Sequence, residues 1–123
     1  MRDPSLPLQK AVFAALTGAG LDCVYHTVPP KTPLPWIVIG EDQVLAENES
    51  AEMYECFVTV SAFARKPEHK ALAATICAAL DQMLDLDGFR TEEVWHEETR
   101  YLTEKDNQIG HANIEFRYLV QPV

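Results

Sequence analysis

The sequence predicts an α+β domain spanning residues 1–123: an antiparallel sheet of four to five strands with two helices packed on one face, in the order α-β-β-β-α-β-β. Three observations carry this. Tyr54, Cys56, Val58, Val60, Ala62 and Ala64 alternate with Glu55, Phe57, Thr59, Ser61 and Phe63, the period of two that marks a strand with one buried face. After Arg65-Lys66-Pro67, Leu72, Ile76, Leu80 and Leu84 recur every four residues, with Ala73, Cys77 and Met83 widening the stripe, which is the period of an amphipathic helix. Ala112, Ile114, Phe116, Tyr118 and Val120 alternate just as cleanly with His111, Asn113, Glu115, Arg117 and Leu119. Short connections between such elements favour antiparallel neighbours with the helices gathered on one side.

Taken in order, the first helix is predicted over Leu6 to Thr17. Ser5 is placed to cap it, with Pro7 in its first turn and Gly18 and Gly20 stopping it. Leu8, Val12, Ala15 and Leu16 form its apolar stripe and Phe13 flanks it. Val24 and Tyr25 suggest a short strand. Pro29, Pro30, Pro33 and Pro35 then hold the chain extended and forbid a central strand. Trp36-Ile37-Val38-Ile39-Gly40 reads as a short buried strand with Trp36 as a core anchor and Gly40 closing it. In an alternative reading, a polar arm runs on to about Ser50 and returns as the Tyr54 strand, making a hairpin with a long, mobile connection. Pro67 suits the first turn of the second helix. Asp87-Gly88 is a turn, Arg90 to Leu102 a weaker strand with charge on both faces, and Lys105-Asp106-Asn107 a second turn.

Composition narrows the function. A net charge of −9 argues against binding nucleic acid by phosphate neutralisation and against docking on anionic membranes. The acid is concentrated: between Lys31 and Arg65 there is no Lys or Arg, and that interval holds Glu41, Asp42, Glu47, Glu49, Glu52 and Glu55. It reads either as a solvated hairpin tip or as an acidic surface facing DNA or a basic partner. The stretch from Met1 to Gln9 lacks the apolar run of a signal peptide, and no apolar run approaches membrane-spanning length, which points to folding in the cytoplasm. Cys23, Cys56 and Cys77 are odd in number and widely spaced, the pattern of reduced, mostly buried thiols.

No catalytic, cofactor or metal site is predicted. His26, His69, His96 and His111 form no metal-binding spacing, and neighbours such as His96 and Glu97 point to opposite faces of a strand. Glu93 and Glu97, four strand residues apart, stand about 13 Å from one another, too far for a glycosidase pair. Cys56 is ringed by acids, which raise a thiol's pKa and leave it a poor nucleophile. Glycine-rich phosphate loops and nucleophile elbows are missing. Trp95, an aromatic among charges, is a candidate contact residue.

Several runs carry a family resemblance: Val24-Tyr25-His26-Thr27-Val28-Pro29, then Pro35-Trp36-Ile37-Val38-Ile39-Gly40-Glu41, then Phe57 to Arg65 followed by Lys70-Ala71-Leu72-Ala73, and a last hairpin with Arg100 before the turn and Phe116-Arg117 late in the final strand. In their order, from Leu8 to about Tyr118, they resemble the tail terminator, or tail completion, proteins of long-tailed phages and gene transfer agents. The resemblance implies a ring, usually of six subunits, that caps the tail tube and joins it to the head. Its partners would be further copies of itself, the tail tube and head-connector proteins, with no specific nucleic acid and no membrane. It implies no catalysis and no cofactor, assembly in the host cytoplasm, and a final place in the virion tail. The exposed strand from Thr91 to Tyr101 is the candidate subunit or partner interface, with Trp95 and Tyr101 on one face and Glu93, Glu97 and Arg100 setting register through charge pairs. Glu41, Asp42, Glu47, Glu49 and Glu52 are the candidate lumen or acidic surface. A reading of a different class is a cytosolic α+β module that binds a small ligand or protein on the sheet face left open by the helices.

Overall fold

The computed structural model describes residues 3–47 and 52–123. Helix α1 (Ser5–Gly18) is followed by β1 (Val24–Tyr25), β2 (Trp36–Glu47), β3 (Met53–Arg65), α2 (Glu68–Leu80), β4 (Phe89–Thr103) and β5 (Ile109–Pro122). The element order is the one the sequence predicts. The strands form one five-stranded sheet in the order β1-β2-β3-β5-β4. All ladders are antiparallel except β1 with β2, where Val24 faces Ile37 in parallel, so the sheet is mixed and not purely antiparallel. The proline-rich loop causes this. It carries the chain back so that Trp36 starts beside β1, and the Ile37 N–H donates to the Cys23 carbonyl at 2.9 Å.

β3 and β5 are the centre of the molecule. Each alternates between half-buried and buried residues, from Met53 to Ala64 and from Ile109 to Val120, and Val60, Ala62, Ala112, Ile114, Phe116, Tyr118 and Val120 are fully buried. Ala73, Ile76 and Leu80 of α2 close over them, and Leu8, Val12 and Leu16 of α1 extend the same layer towards β2. Burying each large apolar side chain there contributes about 1.5–3 kcal/mol.

Several boundaries depart from expectation, each for a local reason. α1 begins at Ser5 with Pro4 as its cap residue. The Asp3 carboxylate accepts the Ser5 N–H at 2.9 Å, and the Ser5 hydroxyl donates to Asp42 instead of capping. The helix ends in a Schellman motif, with Leu21 N–H on Leu16 O and Gly20 N–H on Thr17 O, and Gly20 takes the left-handed φ of 89° that this requires. Gly40 does not close β2. It lies in a bulge between Ile39 and Asp42, close enough to the Thr59 carbonyl that a Cβ would sit 3.3 Å from it, and the strand runs on to Glu47. β2 and β3 therefore pair as the two arms of a hairpin, and the expected long connection lies outside the described residues. α2 stops at Leu80, where the buried Tyr118 hydroxyl donates to the last carbonyl at 2.8 Å. Leu84 stays buried beyond the helix end, but Met83 is 57% exposed and does not widen the stripe. Trp36 is no core anchor: it pairs in register with Phe63 on the sheet face away from the helices and is half-buried.

Candidate interaction surfaces

The sheet face opposite the helices is built from the residues that alternate with the core. Arg117 is its centre. Its Nη1 donates to Glu55 Oε2 at 2.6 Å, and its guanidinium lies 3.8 Å over the Trp95 ring. Its Nε is 2.8 Å from Glu97 Oε1, although the N–H is not aimed at that oxygen and makes no hydrogen bond. One side chain thus ties β3, β5 and β4. The hydrogen bond to Glu55 foremost, and the charges of Glu97 and Glu55, hold Arg117 above the ordinary arginine range against the opposing effect of burial. Near one end of the sheet, Phe63 stacks on His111 at 4.1 Å and tilts against Trp36 at 5.8 Å. His111 Nδ1 lies 3.0 Å from Glu104, and its Nε2 lies 3.0 Å from Asn113 Oδ1, which also accepts the Ser61 hydroxyl at 2.6 Å. At the other end, Glu92 accepts from Arg90 and from Gln121, both at 2.5 Å, and these bonds, that to Arg90 first, hold its carboxyl below the usual range.

β4 is the outermost strand beyond β5 among the described residues and carries two bulges, between Thr91 and Glu93 and between His96 and Glu98. Each bulge inverts the alternation. Val94 and His96 face the helix side, opposite Tyr118 and Phe116. Past the second bulge it is Thr99 and Tyr101 that do so, opposite Ile114 and Ala112. Trp95 and Tyr101 are therefore on opposite faces, not on one. The extra residue near Glu97 is the physical reason, and no period of two survives it. Trp95 is half-buried under Arg117. Tyr101 is 48% exposed, edge-on to His69 at 5.7 Å, with the Lys70 ammonium 5.3 Å over its ring. Glu93 and Arg100 are exposed on the open side, and Arg100 is 3.9 Å from Glu98. Glu97 is engaged within its own chain by Arg117.

The acidic residues are spread around the β2 edge. Glu41 sits in the bulge and lines a shallow groove with Asp42, Gln43, Phe57, Thr59 and Glu115. Asp42 faces Val58 in register, and its carboxylate takes the Ser5 hydroxyl on the helix side. Glu47 pairs in register with Met53, Glu52 accepts the Tyr54 hydroxyl, and Glu49 lies outside the described residues.

The thiols separate by burial. Cys56 is fully buried, and burial first, then Asp42, Asp3 and Glu55, push its pKa up to about 12. Burial and the Asp22 charge raise Cys23. Cys77 lies 3.6 Å from Thr99 Oγ1 and 3.9 Å from His96 Nε2, a grouping across α2 and β4 that sequence spacing could not suggest. Among the described residues no three His, Cys, Asp or Glu side chains converge as metal ligands, and no helix is long and apolar enough to cross a membrane. Sequence reasoning missed Arg117, Glu55, His111 and Asn113 as members of a surface network. The available signal was the polar half of the β5 alternation.

No curated protein sequence matches this chain. Its fold is similar to that of a chain in the virion of a native gene transfer agent (GTA) particle, with a TM-score of 0.81, 22% identity and 98% of each chain covered. Residues 8–121 match the family described as tail completion protein gp17, from the first buried residue of α1 to Gln121 near the end of β5, and the chain belongs to that family.

Proposed function

We propose that this chain is a structural virion-assembly protein that caps the tail tube and joins tail to head as a ring of six copies. The observation that carries the reading is the family match over residues 8–121. The geometry supports it through two unlike sheet edges. Among the described residues β4 is the last strand on its side of the sheet, and β1 pairs with β2 at Ile37 and Val38. Unlike edges on one subunit suit heterologous contacts, which close into rings when the rotation allows. In this reading Tyr101 on the helix side of β4, and Glu93 and Arg100 on its open side, meet the neighbouring copy or the tail tube, while Trp95 and Glu97 hold β4 in shape through Arg117. Glu41, Asp42 and Glu52, among the described acidic side chains, belong to an acidic surface along which DNA passes without adhering, since like charge repels phosphate. The protein assembles in the host cytoplasm and ends in the tail of the particle.

Electron microscopy and native mass spectrometry of the protein, alone and with its cognate tail tubes, test this. Six-membered rings, or tube ends capped by the protein, are the expected result. A chain that stays monomeric and ignores its tubes, while a small molecule co-purifies with it, would instead favour a binding module.

A further inference from the structure

Among the described residues His69 is the one buried imidazole, 5% exposed in the first turn of α2. Its ring lies on the backbone of Gly110 in β5. A Cβ at Gly110 would come within 2.2 Å of the His69 ring carbon Cγ, so the imidazole fills the volume that a side chain at 110 would take. Tyr101 of β4 stands edge-on to it. The buried Nδ1 has no hydrogen-bond partner among the described residues. Lys70 on its own helix and Lys66 in the preceding turn oppose a positive charge on it, and the acidic Glu68 beside it in the first turn is exposed. From β4 it meets the Tyr101 phenol ring, and from β5 the glycine backbone, while the neighbouring His111 is held on the other face by Glu104 and Phe63.

A neutral imidazole tolerates this site, because Nδ1 can remain a bare acceptor. Protonation puts a buried N–H where no described residue accepts it and a positive charge beside two lysines. We propose that His69 is a proton-operated latch: neutral, its ring fills the hollow over Gly110 and holds the first turn of α2 and Tyr101 against the sheet; protonated, it leaves the hollow and that turn lifts from β5 and β4. Burial first, then Lys70 and Lys66, lower its pKa from the ordinary 6.5. The unfolded chain therefore takes up this proton at a higher pH than the folded one. The stabilisation is complete above pH 6.5 and is lost as pH falls from 6.5 through the lower folded value.

The test is a titration of the His69 ring protons by NMR in the wild-type protein, with thermal unfolding from pH 8 to 5 of wild type and His69→Leu. The difference between the two proteins cancels His26, His96 and His111. Wild type should lose more stability per pH unit than His69→Leu within the window, by at most about 4 °C, and amides of residues 68–72 should exchange faster there. A ring that titrates at or above its ordinary value, or two proteins with the same pH slope, would overturn the latch. The wild-type titration decides the matter even if the leucine variant does not fold.

Discussion

β3 and β4 flank β5 on either side and are similar in length, yet different forces hold them. β3 keeps unbroken register with β5 from Tyr54 to Arg65, and every second residue goes under the helices. β4 takes in an extra residue at each of two bulges, and polar groups on the open face meet both sites: Arg90 and Gln121 hold Glu92, and Arg117 meets Glu97. A central strand is positioned by what it buries. An edge strand, wet on one face and along one side, is positioned by the cations and amides its side chains can reach. Regular alternation is the signature of the first case only.

The comparison can be broken at its strongest point by Val60→Asp. Val60 is fully buried between β5 and α2, and an unpaired carboxylate there should cost about 4 kcal/mol or more and abolish cooperative folding. Denaturant unfolding measures this, and a variant that melts like wild type would show that burial does not position β3. Arg117→Met tests the open face. It leaves Glu55 and Glu97 without their cation and uncovers Trp95, so stability should fall by less than for Val60→Asp while β4 loosens. In a Trp36→Phe background, Trp95 fluorescence should shift to the red and quench more readily with acrylamide; an unmoved spectrum would remove Arg117 as the organiser of that face. The smallest effect is chemical. At pH 8 a thiol with a pKa near 12 is protonated as well as buried, so Cys56 should stay unlabelled by a disulfide reagent while the half-buried Cys77 reacts. Mass spectrometry of the labelled peptides reads this directly, and equal labelling would mean that β3 opens as easily as the α2 surface against β4.

The same contrast explains what could be read from the chain. The strands at Tyr54 and Ala112 were legible because burial enforces a period of two, and α2 was legible because Ile76 and Leu80 face that layer. Gly40 misled because a glycine in a bulge looks like a glycine at a strand end. Met83 misled because the helical period continued on paper past Leu80, where the Tyr118 hydroxyl ends the helix from a distant part of the chain. The candidate interface was legible as a strand but not as a surface. Nothing near Trp95 in sequence announces Arg117, which arrives from β5, and nothing near Tyr101 announces the bulge consequence that turns it towards His69.

The bulges also fix the shape of the rim. From Phe89 to Thr103, β4 has 15 residues, two more than the stretch from Gly110 to Pro122 that it faces. Surplus contour on an outer strand makes it bend and coil, so this border is an arc and not a straight rail. A straight strand from an unrelated chain cannot follow an arc for long; the longest even ladder is the run from Glu98 to Thr103. The molecule therefore resists indiscriminate stacking along its longest open border, and a neighbour that covers the whole rim must be curved to match it.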